Sequence, residues 1–405
     1  MAKKKILIFS LDYYPGEVGG AEVAIKEITD RISPEEIEFH LLTLHYDKAM
    51  AKEEQIGNVF VHRIGFGWKN PTIADRKKFP LHLNKHLFQF TAPLKALRLH
   101  KKNHYDGIWA MMAHSCGVPA AIFKWLHPEV AYLLTLQEGD PPEHIEKLAK
   151  PVWKLFKRAF TTADTIQVIS TFLGKWAVRM GYPHEPILVP NAVNTAHFAQ
   201  LVIDEAIVKV KENLGKKEGD VFLVTTSRMV HKNALDDVIS ALPLLPPNVH
   251  FLIYGGGPDR EKLEKQAKEL GVQDRTHFKG LIDHKDMPPM LHACDIFIRP
   301  SRSEGMGNSF VEAMAAHLPV IATQEGGIAD FLFDMKRNPD KQTTGWAVDK
   351  DAPEQIAEAV LEIIANPEKV LEVTKTAYEM AVIKYDWNLI ASDMQMKVFL
   401  PLFLK

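Results

Sequence analysis

Two glutamates, Glu304 and Glu312, are separated by seven residues in the segment SEGMGNSFVEAMA. Gly305 and Gly307 lie between them, and glycines at a helix entrance let backbone N–H groups approach a ligand closely. Helix architecture is the alternative explanation, because Ser309 and Glu312 fit an S-x-x-E capping box before an apolar run. That alternative accounts for Glu312 but not for Glu304, so the spacing indicates a ligand-binding loop followed by a helix.

A second segment, SRMVHKN (227–233), follows the apolar run 221–226. Arg228 and Lys232 are expected to project from a strand-to-helix turn. Two cations at a helix N-terminus suit a diphosphate group. A solvated surface pair is the alternative, which these residues alone do not exclude.

Three glycine-rich turns also follow apolar runs. They contain Gly19 and Gly20 in PGEVGGAE, Gly255 and Gly256 in YGGGPDR, and the EGG segment at 325–327. YGGGPDR is neither a G-x-G-x-x-G dinucleotide fingerprint nor a P-loop, since it lacks the Lys-Ser/Thr pair. Each turn offers backbone N–H groups to a phosphate or a hydroxyl group, and each could equally be a purely structural turn.

The elements that would position these loops are short apolar strands alternating with helical patterns. Such a pattern is typical of parallel sheets covered on both faces. We predict strands at 6–10, 38–43, 59–62, 107–111, 132–136, 165–169, 187–190, 221–226, 250–254, 277–279, 296–299, 319–322 and 346–348, with helices at 21–32, 144–159, 204–214 and 387–404.

This pattern restarts after about residue 197, which predicts an α/β fold of two tandem Rossmann-like domains. We place the first domain at 1–197 and the second at 198–384, with a C-terminal helix at about 385–405 packing back on the first. Parallel sheets bind ligands at the carboxyl ends of their strands. The predicted binding site is therefore the cleft between the two domains.

Composition excludes several classes of protein. The chain has 405 residues with a formal net charge of −2, so no overall basic character favours nucleic-acid binding. Two distant cysteines, Cys116 and Cys294, give neither a disulfide framework nor metal-ligand spacing. The first apolar run is too short for a signal peptide, and no run is long enough to span a membrane. These features predict a cytoplasmic protein.

Taken together, the segments resemble the GT-B-fold retaining glycosyltransferases of family four. The resemblance rests on GGAE (19–22), VPNAVNTAHF (189–198), SRMVHKN, YGGGPDREKLE and the long segment ACDIFIRPSRSEGMGNSFVEAMAAHLPVIAT. It spans nearly the whole chain and is weaker between about 45 and 105. It implies transfer of a sugar from a nucleotide diphosphate sugar to an acceptor hydroxyl with retained anomeric configuration.

The resemblance also implies roles for particular residues. Glu304 should contact hydroxyls near the 3-position of the donor sugar, and Glu312 should bind the ribose. Arg228 and Lys232 should stabilise the diphosphate leaving group without a metal ion, and Gly20 should approach the phosphates. The other predicted substrate contacts are Gly19, Glu138, Gly255, Gly256, Gly305, Met306, Gly307, Asn308 and Ser309. No cofactor is expected.

One segment departs from the family pattern. Many relatives carry a histidine where LTLQEGD (134–140) has Gln137. Glutamine exchanges hydrogen bonds but is no general base at neutral pH. A front-face retaining mechanism needs no protein base, because the leaving phosphate takes the acceptor proton. Gln137 therefore remains a predicted catalytic-site residue.

The substrates are predicted only by class. A hexose donor of the GDP-mannose or UDP-glucose type and a lipid-linked or surface glycan acceptor follow from the resemblance. Residues 68–102 contain nine Lys or Arg and one acidic residue, with Trp68, Phe79, Phe88 and Phe90 interleaved. Segment 151–160 is also basic and aromatic, so these faces could lie on an anionic membrane. An ordinary solvated face over core aromatics is the alternative.

Two other functions stay open. A nucleotide-sugar 2-epimerase shares the GT-B fold but needs acid and base residues around the sugar. A binding protein that has lost catalysis is conceivable because of Gln137.

Overall fold

The computed structural model describes residues 3–16, 18–72, 74–199 and 204–404. The chain forms two compact units. The first unit combines Met1–Asn191 with Trp387–Lys405, and the second comprises Ala192–Asp386.

The division between the units lies a few residues from the boundary near 197 that the sequence suggested. The backbone N–H of Val193 donates to the carbonyl of Tyr385 over 2.9 Å. The hydroxyl of Thr195 donates to the Asp386 carboxylate over 2.7 Å. These hydrogen bonds attach the start of the second unit to its own last residues.

An eight-stranded sheet forms the core of the first unit. Its strands are β1 (Lys4–Phe9), β2 (Ile37–Leu44), β3 (Glu53–Ile56), β4 (Val59–Ile64), β5 (Gly107–Met111), β6 (Ala131–Leu136), β7 (Thr165–Val168) and β8 (Ile187–Leu188). They lie in the order β3-β4-β2-β1-β5-β6-β7-β8. All pairs are parallel except β3 with β4. The sequence analysis missed β3, a polar edge strand.

Helices connect these strands. They are α1 (Gly20–Thr29), α2 (Asn84–Asn103), α3 (Val118–Leu126), α4 (Pro142–Ala149), α5 (Trp153–Thr161) and α6 (Thr171–Arg179). The prediction of one helix over 144–159 is wrong. Pro151 lies in a 3-10 turn between α4 and α5, and proline cannot donate the backbone hydrogen bond that a continuous helix requires.

The second unit contains a wholly parallel six-stranded sheet. Its strands are β9 (Val221–Thr226), β10 (Val249–Tyr254), β11 (Thr276–Gly280), β12 (Ile296–Arg299), β13 (Val320–Ala322) and β14 (Trp346–Ala347), in the order β11-β10-β9-β12-β13-β14. Its helices are α7 (Thr195–Ala199), α8 (Asp204–Leu214), α9 (Leu235–Ala241), α10 (Arg260–Glu269), α11 (Met287–His292), α12 (Asn308–Ala315), α13 (Pro353–Ala365) and α14 (Pro367–Lys384).

The C-terminal segment returns to the first unit. It is not the single helix predicted at 387–404, because a π-helical stretch, Met394–Phe399, separates α15 (Trp387–Asp393) from α16 (Leu400–Leu402). Phe399 is fully buried. Its ring centroid lies 5.8 Å from that of Phe39 and 5.3 Å from that of Trp109. An aromatic cluster therefore attaches the end of the chain to the first sheet.

Candidate active site

The loop after β12 carries Glu304 and leads into α12. Gly307 is the N-cap residue of α12, with a left-handed φ of 86°. The alternative explanation by a capping box is therefore wrong, because Ser309 lies inside the first turn of the helix and makes no capping hydrogen bond. Its hydroxyl accepts a hydrogen bond from Arg299 over 2.8 Å instead. Glu312 consequently has no capping role in α12.

Charged side chains lie at this end of the second sheet, where Arg299 and Glu304 form an ion pair. Glu304 accepts a hydrogen bond from Nη2 of Arg299 over 2.9 Å. Both Glu312 and Arg228 lie within electrostatic range of the same guanidinium. The Glu304 and Glu312 side chains are each 14% exposed. Glu312 also has Nε2 of His284 at 3.8 Å. Three residues predicted from the sequence are thus brought together around an arginine that was not predicted.

The loop that carries Arg228 is attached to the turn after β10. The N–H of Met229 donates to the carbonyl of Gly256 over 2.9 Å. Gly255 has a φ of 139°, and a Cβ there would lie 1.9 Å from the Ser227 carbonyl oxygen. Close backbone packing therefore explains Gly255. A Cβ at Gly256 would meet nothing within 4 Å, so packing does not explain this second glycine.

Backbone hydrogen bonds also join the remaining loops of this edge. The N–H of Arg302 donates to the carbonyl of Lys232 over 2.7 Å. The N–H of Gly327 donates to the Glu304 carbonyl over 3.0 Å. A Cβ at Gly326 would lie 2.0 Å from that same oxygen. The loops after β9, β12 and β13 therefore support one another.

The other residues of this loop that were predicted to contact the substrate differ in which of their atoms are available to a ligand. Gly305 is buried and donates its N–H to Oε1 of Glu304 over 3.2 Å. The side chain of Met306 is in the core, with 2% of the residue exposed, so only its backbone could reach a ligand. Asn308, the first residue of α12, is partly exposed.

The predicted glycines of the first unit lie at the start of α1. Gly19 and Gly20 are exposed. The Gly19 N–H donates to Oε2 of Glu22 over 2.7 Å, which fixes the entrance of the helix. Gly20 is the first residue of α1, and helix N-termini attract anions.

Gln137 and Asn191 exchange two hydrogen bonds in the first unit. Nε2 of Gln137 donates to Oδ1 of Asn191 over 3.0 Å, and Nδ2 of Asn191 donates to Oε1 of Gln137 over 3.1 Å. Gln137 is partly exposed at the end of β6. The predicted residue thus has a fixed orientation.

Glu138 has a different environment from the one predicted. Its side chain is completely buried. Oε1 accepts from the backbone N–H of Ala113 over 2.6 Å, and Oε2 accepts from that of Gln137 over 3.0 Å. These contacts indicate that Glu138 joins the loops after β5 and β6, and they leave its predicted substrate contact without geometric support.

The sequence analysis did not select His114, which lies beside Glu138. Nδ1 of His114 is 3.5 Å from Oε1 of Glu138, and its side chain is 41% exposed. His114 belongs to a π-helical turn, Ala113–Gly117, entered through Met112 with a φ of 68°. Such turns and strained residues are common at functional sites. β5 and β6 are parallel neighbours, so the loops that follow them lie side by side. This adjacency is the sequence signal that could have identified His114 as a candidate site residue.

One possible metal-binding group occurs within the described parts of the chain. It consists of His100, His127 and Glu129, whose ligand atoms all lie within 4.8 Å of one another. His127 and Glu129 precede β6, so this group lies at the end of the strand opposite to Gln137.

Among the described residues, no helix combines the length and the apolar character that crossing a bilayer would demand.

Comparison with known proteins identifies the family. Residues 18–197 match the model of Glycosyltransferase Family 4, and residues 207–380 match that of Glycosyl transferases group 1. Among solved structures, Anabaena HepE in complex with UDP and glucose has a TM-score of 0.75 at 20% identity, covering 98% of this chain and 99% of that one. Sucrose-phosphate synthase from Thermosynechococcus elongatus has a TM-score of 0.81 at 18% identity, covering 99% and 100%.

Curated relatives agree with this result. A GDP-mannose-dependent alpha-(1-6)-phosphatidylinositol monomannoside mannosyltransferase of Mycobacterium tuberculosis is 27% identical over 59% of this chain and 63% of its own length. The chain thus matches less than two thirds of that relative. A 2-deoxystreptamine glucosyltransferase of Streptomyces kanamyceticus is 25% identical over 68% of this chain and 70% of its own length. The fold is GT-B, and the chain belongs to the group 1 glycosyltransferases, a family of transferase enzymes.

Proposed function

We propose that this protein transfers a hexose from a nucleotide diphosphate sugar to an acceptor hydroxyl with retention of configuration. The observation that carries the proposal is the pair of largely buried carboxylates, Glu304 beside Arg299 at the end of β12 and Glu312 on α12. Two carboxylates that have no helix-capping role can accept hydrogen bonds from the hydroxyls of a donor.

Stabilisation of the leaving group is assigned to Arg228 and Lys232. The diphosphate gains negative charge as its bond to the sugar breaks, and preorganised cations stabilise that charge. Arg228 is exposed and Lys232 is partly buried on the loop after β9. Two cations could replace a metal ion here, so we propose a reaction that needs neither metal nor cofactor. In the first unit, Gly20 and Gln137 remain predicted substrate contacts.

The classes of donor and acceptor are proposed from the relatives. One relative is named as GDP-mannose-dependent and another as a glucosyltransferase, which supports a GDP-mannose or UDP-glucose donor. The name of the first relative includes phosphatidylinositol monomannoside. This supports a lipid-linked or surface glycan as the acceptor of the present protein.

A thermal-shift panel tests the donor. Nucleotide sugars are added without metal to the wild type, to Glu312→Ala and to Glu379→Ala, an exposed control on α14. A ligand that binds only the folded state raises Tm. We expect one hexose donor to raise the Tm of the wild type and the control but not that of Glu312→Ala. If no donor stabilises the wild type at millimolar concentration, donor binding as proposed is wrong.

Product analysis separates the alternative functions. Incubation of the stabilising donor without acceptor would leave it unchanged or slowly hydrolysed by a transferase, whereas a 2-epimerase would convert it to its epimer. A binding protein without catalysis would transfer nothing to any glycan or lipid-linked acceptor. Transfer with retained configuration in the product would support the proposal.

We also propose that the first unit associates with an anionic membrane surface. Phe79 is 73% exposed, and Phe90 and Leu94 are each 59% exposed on α2. Exposed apolar side chains beside the basic residues of segment 68–102 suit an interfacial contact. Phe88 is completely buried, so it belongs to the core. Trp153 is the exposed aromatic side chain of segment 151–160.

Flotation with phosphatidylglycerol vesicles at low salt tests this contact. We expect the wild type to float and Phe90→Ser to float several-fold less. Leu371→Ser is the control, because Leu371 is 71% exposed on α14 of the second unit. Wild-type protein that stays with the free fraction would contradict membrane association.

A further inference from the structure

Arg299 ends β12 with a charged side chain that is only 7% exposed. A buried guanidinium is costly unless its charge and its N–H groups are paired. Burial lowers the pKa of Arg299, whereas Glu304 and Glu312 oppose that change. The carboxylates around Arg299 therefore offset the cost of burying its charge.

The guanidinium fixes one orientation of the Glu304 carboxylate. Nη2 of Arg299 donates to Oε2 over 2.9 Å, while the N–H of Gly305 donates to Oε1 over 3.2 Å. A carboxylate oxygen can accept more than one hydrogen bond. Each oxygen of Glu304 therefore keeps capacity for a hydroxyl group of a ligand.

The surrounding loop is shaped to the guanidinium. Nη1 of Arg299 donates to the Ser309 hydroxyl over 2.8 Å, and the guanidinium carbon lies 4.2 Å from the ring centroid of Phe310. A Cβ at Gly307 would lie 2.6 Å from the Phe310 ring and 2.7 Å from Nη2. The loop thus encloses Arg299 so closely that a side chain at residue 307 would have to displace the Phe310 ring or the guanidinium.

We infer that Arg299 is a positioning residue that holds the Glu304 carboxylate in one orientation, so that Glu304 accepts hydrogen bonds from donor sugar hydroxyls. This inference rests on the proposed function. Arg299 itself is buried and is not assigned a contact with the substrate.

Donor binding to Arg299→Met and Arg299→Lys tests the inference. The probes are GDP-mannose, UDP-glucose and their 3-deoxy-3-fluoro analogues, measured by calorimetry. Fluorine cannot donate a hydrogen bond to Glu304, so we expect the wild type to prefer the parent sugar by about tenfold or more. Arg299→Met should lose this preference, and Arg299→Lys should recover part of it because lysine keeps the charge but not the planar fork.

Arg275→Met is the control for a purely structural effect. Arg275 lies in the same unit and donates to the carbonyls of Leu242 and Pro246 over 2.7 and 2.8 Å. Neither of these residues is a predicted contact of the nucleotide sugar. We expect this variant to lower Tm and to keep the wild-type preference. If Arg299→Met also keeps that preference, the inference is wrong.

A crystal structure of unliganded Arg299→Met decides the question without any donor. The Glu304 carboxylate should rotate away or become disordered while the loop backbone stays in place. A carboxylate that keeps its position would overturn the inference. If the wild type binds neither sugar, the proposed donor class fails, and this structure still reports on Arg299 separately.

Discussion

Gln137 shares its side-chain amide with Asn191 through two hydrogen bonds, at the end of β6. If Gln137 contacts the substrate, Gln137→Ala should lower turnover by tenfold or more, because a polar contact to the reacting sugar is lost. Asn191→Ala breaks the same pair and should lower turnover less. Steady-state kinetics with the donor found by thermal shift checks this. Wild-type turnover in Gln137→Ala would remove the residue from the site.

Gly256 and Gly307 give opposite expectations for alanine. At Gly307, the left-handed φ and the contact with Phe310 should make Gly307→Ala destabilising by about 1–3 kcal/mol. At Gly256, a Cβ has open space, so Gly256→Ala should leave stability nearly unchanged. If its N–H faces the donor, the donor-induced rise in Tm should still shrink. Urea unfolding combined with the thermal-shift assay measures both effects.

The sequence selected the two glutamates of the candidate site but not the arginine that binds one of them. Glu304 and Glu312 stood out by type and spacing. Arg299 did not, because a charge at the end of an apolar strand does not reveal that it folds inward. The capping-box explanation of Ser309 and Glu312 was wrong for a related reason. The Ser309 hydroxyl binds Arg299 rather than a backbone N–H of the helix. A four-residue pattern cannot reveal a partner that lies ten residues earlier in the chain.

At the scale of elements, Arg302 connects the loop after β12 to α9. Its guanidinium donates to Asp236 and Asp237 over 2.8 and 2.7 Å. Burial raises the pKa of Asp237 to about 6, with Asp236 and Asp351 adding to the rise and Arg302 opposing it. Three carboxylates around one guanidinium thus leave an excess of negative charge.

This excess predicts a pH dependence of stability. The raised pKa means that folded Asp237 keeps its proton up to about pH 6, whereas the unfolded chain releases it near pH 4. The contribution of Asp237 to the free energy of unfolding therefore declines as pH rises from about 4 through about 6. Asp237→Asn cannot titrate. Its unfolding free energy relative to wild type should therefore increase between pH 4.5 and 7.5, by on the order of 2 kcal/mol.

Urea unfolding at several pH values measures this difference. Asp274→Asn, at an exposed acid of the same unit, is the control and should give a smaller change. A difference between Asp237→Asn and wild type that stays constant with pH would contradict the assignment.

The strands were predictable because both sheets consist mainly of buried apolar runs. The failures have local causes. β3 is polar, with no fully buried residue, so apolar runs could not reveal it. The break between α4 and α5 lies at Pro151, where the apolar periodicity continues but the backbone hydrogen bonds do not.

At the scale of the whole molecule, the C-terminal segment completes the first unit. Phe399→Ala should destabilise that unit by about 3–5 kcal/mol, because a fully buried aromatic ring is removed from Phe39 and Trp109. Met396→Ala is the control, since Met396 is 60% exposed in the same segment. Scanning calorimetry should give a lower Tm for Phe399→Ala than for Met396→Ala. Equal decreases in Tm for the two variants would contradict the stabilising role of Phe399.

The return of residues 387–404 to the first unit has a consequence during translation. The second unit is one contiguous stretch of chain and can fold as soon as it leaves the ribosome. The first unit is begun earlier but waits for residues 387–404 to be synthesised, so Phe39 and Trp109 lack Phe399 until then. Of the two units, the one whose synthesis begins first is therefore the one that is completed last.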